Sequence, residues 1–144
     1  MTWSEIWSTG DPAIDRDHRE SFDGLNALFG QIRSGEPAAG WAPLLVELLR
    51  AVSDHHPREE ALMERTGFPG LAAHRVEHVG LRRRLRAIIQ ALVAANAQPD
   101  PIGLAAESWR LVIDHLVHHD MAYKSHVMEF DRRVPRGRGG VAPA

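Results

Sequence analysis

The chain of 144 residues is the length of one domain, enough to bury a core without disulfides or a metal as staples. Its 17 basic and 19 acidic residues nearly cancel to a net charge of −2, which argues against nucleic acid as a partner, because phosphate binding needs a concentrated positive face. The absence of cysteine excludes disulfides, thiolate zinc sites and cysteine-ligated iron–sulfur clusters, and the unusual component is histidine, at nine residues.

Residues 1–12 carry Trp3, Ile6 and Trp7 ahead of Gly10-Asp11-Pro12 and read as a non-helical N-terminal arm that ends in a turn. The arm lacks the basic start and apolar stretch of a signal peptide, and no run of about 18 apolar residues follows anywhere. The expectation is a soluble, cytoplasmic protein with no membrane insertion. A first helix is predicted from about Ala13 to Arg33, with Ile14, His18, Phe22, Leu25, Phe29 and Ile32 at helical spacing. Breakers between Ser34 and Gly40 separate it from a second helix, about Ala42 to Arg65, whose inward stripe is Leu45, Leu48, Val52, His55, Glu59 and Leu62 or Met63. That stripe leaves His56 and Glu60 beside the seam and turns His56 to solvent. Pro57 predicts a bend or a fresh start near His55, because it removes a backbone donor and crowds the carbonyl four residues back.

Gly67-Phe68-Pro69-Gly70 predicts the next stop. The third helix, about Leu71 to Ala95, has the cleanest seam, with Leu71, His74, His78, Leu81, Leu85, Ile88 and Leu92 in a heptad. Its other face holds Arg75, Glu77, Arg82, Arg83, Arg84 and Arg86, a solvated face with snorkelling stems. The fourth helix runs from about Ile102 to Phe130, and His126 is expected to face solvent. Residues 131–144, rich in Gly, Pro and Arg without periodicity, read as a flexible basic tail. Four long helices with short connections make residues 13–130 an all-α, antiparallel up-down-up-down four-helix bundle.

Residues four apart lie one above the other on a helix, so His55 with Glu59, and His74 with His78, each aim two donor atoms at one point. Side by side, the four helices bring His18, His55, Glu59, His74, His78 and His115 to one depth, with Asp120 close to it. By α-helical spacing alone His115 would pair with His119, since residues five apart diverge by about 140°. One histidine on an apolar stripe is ordinarily a hydrogen-bonded core residue. Five of them with carboxylates call for a metal, because that many buried polar groups cannot otherwise be satisfied.

At these residues the chain resembles the hemerythrin family, specifically the single-domain bacterial hemerythrins. The ordered pattern is His18 after Ile14-Asp15, then His55-x-x-x-Glu59, His74-x-x-x-His78 and His115-x-x-x-x-Asp120. Supporting it are Glu60, Leu62 and Met63 after Glu59, the Phe68-Pro69 turn, and Tyr123-Lys124 after Asp120. The resemblance covers about residues 10 to 130. It implies that Asp120, not His119, is the metal ligand, and that His118 and His119 lie outside the ligand set. The pattern is departed from at three places. The family usually has an aromatic residue where His56 stands, commonly a glutamine at Asp17, and commonly an aromatic at Leu81.

The resemblance further implies two iron ions with an oxo or hydroxo bridge, bridged also by Glu59 and Asp120. His74, His78 and His115 are assigned to one iron, and His18 with His55 to the other, which keeps one open position for dioxygen. Imidazole with carboxylate suits iron. Carboxylate-rich diiron oxygenases carry the opposite balance of donors, so reversible dioxygen binding, for storage, delivery or sensing, is favoured over substrate oxidation. The alternatives are a diiron enzyme that reduces nitric oxide or peroxide, or an iron or redox sensor. An oxygen-using enzyme or an electron donor is the kind of partner such roles call for.

Overall fold

The computed structural model describes residues 3–37, 40–94 and 100–133. Asp11 opens the first long helix, α1 (Pro12–Arg33): its carboxylate accepts from the backbone N–H groups of Ala13 and Ile14, and Pro12 supplies a first-turn residue that has no N–H to satisfy. The arm before it holds a single 3-10 turn, Glu5–Trp7. It is fastened by Asp15, a buried carboxylate that accepts from the Ser8 hydroxyl and from the Thr9 hydroxyl and amide. Trp3 then packs edge-on against Phe22, with ring centroids 5.7 Å apart, and lies against the large apolar block.

The second helix, α2 (Ala42–Thr66), runs unbroken through Pro57, so no new helix starts at His55. Gly67, at φ +68°, closes it in the left-handed conformation that glycine adopts without a Cβ clash, and Phe68 N–H donates back to Met63 O at 2.9 Å. The third helix, α3 (Leu71–Val93), stops two residues earlier than its apolar pattern suggests. The fourth rod has three parts: α4 (Pro101–His115), a π-helical turn over Leu116–Asp120, and α5 (Met121–Arg133), which carries the helix past Phe130. The rest of the expected tail, 134–144, lies outside the described residues.

Contacts run from α1 to α2, α2 to α3, α3 to α4 and α4 back to α1, which closes the four-helix bundle. Among the described residues there is no strand. No helix among them is long and apolar enough to cross a membrane. Most of the predicted stripe residues are buried, with Leu28 joining Leu25 on α1 and both Leu62 and Met63 buried on α2, while Phe29, Ile32, Leu71 and Leu92 are half-buried. The apolar core falls into two blocks. A large one is built around Leu25, Leu45, Leu48, Leu85 and Ile88, and a small one comprises Ile14, Leu62, Met63, Tyr123 and Val127. Every helix passes from one block to the other through a buried polar layer.

Candidate metal centre

That layer is built from the residues at which the apolar stripes turn polar without leaving the core. His18 lies one turn from Ile14 and from Phe22 on α1, and His55 and Glu59 lie between Val52 and Leu62 on α2. His74 and His78 occupy core positions of α3 ahead of Leu81, so burial of the seam carries their imidazoles inward. All seven residues, His18, His55, Glu59, His74, His78, His115 and Asp120, are buried, with Glu59 and His78 at 0% exposure.

Donor atoms gather in two groups, each with its atoms within 4.8 Å of one another. One is Glu59, His74, His78, His115 and Asp120, and the other is His18, His55, Glu59 and Asp120. The two groups share both carboxylates. Glu59 Oε2 lies 3.0 Å from His78 Nε2, 3.2 Å from His74 Nε2 and 3.4 Å from His55 Nε2. Asp120 lies 3.1 Å from His115 Nε2 and 3.3 Å from His18 Nε2.

The π turn explains how a residue five along from His115 reaches the same point. Met121 N–H donates to Leu116 O, the five-residue step of a π turn. That step adds one residue to the turn, and Asp120 faces inward where an α-helix would present His119. His119 is instead 39% exposed at its side chain, beside Glu77, and its ring stacks on the outer side of His115 with centroids 5.2 Å apart. His118 is exposed.

These residues fit a cation. The Nε2 atoms of His18, His55 and His115 and the Oδ1 of Asp120 are buried without an aligned hydrogen bond, although carboxylate or imidazole atoms stand close by. Buried polar atoms are ordinarily paired. Atoms that converge on a point without bonding one another are arranged as ligands are. The donors are imidazole and carboxylate, the set that suits iron, zinc or manganese.

A model described as the hemerythrin HHE cation binding domain matches residues 9–129. The chain belongs to the hemerythrin family. It is similar to a bacteriohemerythrin of Stenotrophomonas maltophilia, 27% identical over 141 residues that cover 95% of this chain and 90% of that one. Bacteriohemerythrins of Pseudomonas paraeruginosa and Pseudomonas aeruginosa are each 25% identical over 123 residues, 85% of this chain and 78% of theirs. No solved structure matches it.

Around its donor layer this hemerythrin chain places a set of supporting groups. His78 Nδ1 lies 2.7 Å from Glu60 Oε1, and Arg75 holds the other oxygen of Glu60 at 3.0 Å. His55 Nδ1 faces Asp17 Oδ2 at 3.4 Å, and Arg58 donates to the same oxygen at 2.8 Å. A carboxylate that takes the Nδ1–H fixes the tautomer and leaves Nε2 as the lone-pair donor. Tyr123 donates its hydroxyl to Glu59 Oε1 at 2.5 Å. Burial pushes the Asp17 carboxyl up, but His55 and Arg58 outweigh it and hold the group at about 2. Burial likewise pushes His55 down, and Asp17 and Glu59 reverse this and raise it to about 10. A cation held at His55 would therefore have to displace a proton.

Two expectations for histidines fail. His56 does not face solvent: it is 1% exposed, stacked face to face on His78 with centroids 3.6 Å apart. Burial, then the neighbouring His78, His55 and His115, pushes it down to about 2, so it stays neutral. Its position had a signal, since Val52, His56, Glu59 and Met63 are themselves spaced as a helical stripe. His126 is half-buried and donates to Thr66 O at 2.7 Å. Arg82 is not purely a member of the solvated face, because its guanidinium turns back to His56.

Proposed function

We propose that the chain holds two iron ions in this layer and binds dioxygen reversibly there. His74, His78 and His115 would hold one ion and His18 and His55 the other, with Glu59 and Asp120 shared. When bound, the iron pair supplies the electrons that dioxygen takes up on binding and returns on release.

The observation that carries the reading is a cavity of about 20 Å³ that lies on the His18 and His55 side of the layer and away from His74 and His78. It is lined by His18, His55, His115 and Asp120, but not by His74, His78 or Glu59. A space of that size holds one water-sized molecule. Its remaining wall includes Phe22, Val52, Leu81 and Val112, which exclude bulk water and stray protons from the ligand. Asp17 and Glu60 keep His55 and His78 oriented, and Tyr123 restrains Glu59, so the donors are held in place before any metal arrives. Bacteriohemerythrin relatives and a histidine-rich donor set support binding over substrate oxidation.

The test is iron content together with the visible spectrum of the reduced protein through cycles of air exposure and deoxygenation. Two irons per chain and an absorption band that appears with oxygen, vanishes without it and returns are expected. A single irreversible oxidation would replace this reading with reduction of nitric oxide or peroxide, or with redox sensing. A protein unable to take up iron would overturn the centre itself.

A further inference from the structure

We propose that His56 is a hydrogen-bond donor to the small ligand in the cavity beside His18 and His55, fixed in that role by Arg82, so that the site favours ligands with an anionic acceptor atom. This rests on the metal-centre reading above and names what selects the ligand there. His56 belongs to neither donor group, yet its ring lines the same cavity as His18, His55 and Asp120.

The ring is held from two sides. One face lies on His78, with planes 4° apart. At its edge, Arg82 Nη1 stands 2.6 Å from His56 Nδ1. A guanidinium only donates, so Nδ1 is the acceptor, and a neutral imidazole that accepts at Nδ1 carries its proton on Nε2. Among the described residues His56 makes no other hydrogen bond, which leaves that N–H without a protein acceptor. The other uncharged polar side chain on the cavity wall, Ser21, spends its hydroxyl on Asp17 O at 3.2 Å. The phenylalanine, valine and leucine side chains around the cavity offer nothing to a ligand. His56 is thus the donor available to an acceptor atom in the cavity.

A buried donor gains most from a charged acceptor. Hydrogen bonds to charged groups correspond to about a ten- to hundredfold change in affinity. Small anions such as azide, and reduced oxygen species, belong to the favoured class. A neutral, weakly accepting diatomic such as nitric oxide should be nearly indifferent to this residue. The resemblance puts an aromatic residue here in other members of the family, and phenylalanine is accordingly the replacement that keeps the ring and removes the donor.

The experiment compares iron-loaded wild type with His56→Phe, His56→Gln and Arg82→Met, reading iron per chain, azide affinity of the oxidised protein by absorbance, and the shift of the bound-azide stretch between H2O and D2O. All four are expected to hold iron as wild type does. His56→Phe should bind azide about ten- to a hundredfold more weakly and lose the solvent-isotope shift. His56→Gln, whose amide reaches about where Nε2 stands, should recover most of both, and Arg82→Met should fall between, because either ring nitrogen can then carry the proton. Unchanged azide affinity and isotope shift in an iron-replete His56→Phe would overturn the proposal and leave the metal centre standing. Should that variant fail to load iron, unchanged values in Arg82→Met would overturn it equally. Wild type that takes up no iron would overturn the centre and this role together.

Discussion

The group of His74, His78 and His115 and the group of His18 and His55 are made of the same imidazoles and share the same two carboxylates, yet their surroundings differ. His74 and His78 sit away from the cavity, packed ring against ring with centroids 4.4 Å apart, and His78 has Glu60 and Arg75 behind it. His18 and His55 face the cavity, and Trp3 of the arm lies against the His18 side, 6.3 Å between centroids. The difference teaches that the layer is asymmetric, with the cavity on the α1 side and close packing on the α3 side. Both histidines of α3 lie away from the cavity, and the one histidine of α1 lines it.

The strongest way to break this division is to remove what the groups share. Glu59→Ala is expected to lose both metals, because His55, His74 and His78 all lose the oxygen they surround; metal analysis after dialysis reads it, and a fully loaded variant would refute the shared role. Next, His74→Ala should abolish the centre, whereas His18→Ala should retain about one metal per chain in the three-histidine group; equal loss in both would mean the groups are not separable. Val112→Phe, which fills the cavity wall, should leave metal content unchanged while weakening azide binding, with an overpacking cost of about 1–3 kcal/mol in chemical denaturation. Smallest of all, His119→Ala should keep its metal and change stability by no more than about 0.5 kcal/mol, since the ring is on the outer side of His115. An essential His119 would undo the reading of the fourth rod.

The bundle was legible in the sequence because its helices are long and each stripe repeats cleanly. Leu81, Leu85 and Ile88 of α3 are buried where the heptad puts them, and Gly67 ends α2 in the left-handed conformation that its place before Phe68-Pro69-Gly70 predicts. The donor pairs on α2 and α3 were legible for the same reason, since four-residue spacing has one geometric meaning on a helix. Two features escaped periodicity. Asp120 was out of reach because counting at 100° per residue assumes an α-helix throughout, and only the family pattern pointed past it. His56 was assigned to solvent because a narrow seam was drawn on α2, whereas the buried arc of a bundle helix is wider than one stripe. Nothing in spacing announces that Arg82, on the neighbouring helix, folds back to close the gap.

Beyond the π turn, the fourth rod runs one residue out of step with itself. Tyr123 and Val127 are buried where an uninterrupted helix would bring Ala122, seven along from His115, and His126. In an alignment such a turn is an insertion that leaves no loop, and a reader who looks for gaps at helix ends would pass over it. Straightening the turn into α-helix with every residue retained would rotate α5 by about 100° relative to α4. The Tyr123 hydroxyl would leave Glu59 and the Asp120 carboxylate would leave the layer, while helix content stayed the same. Circular dichroism would report such a protein as intact, whereas deleting one residue between 116 and 119 would set Asp120 four and Tyr123 seven along from His115 in a plain α-helix and should keep both facing the layer, so metal content separates the two cases.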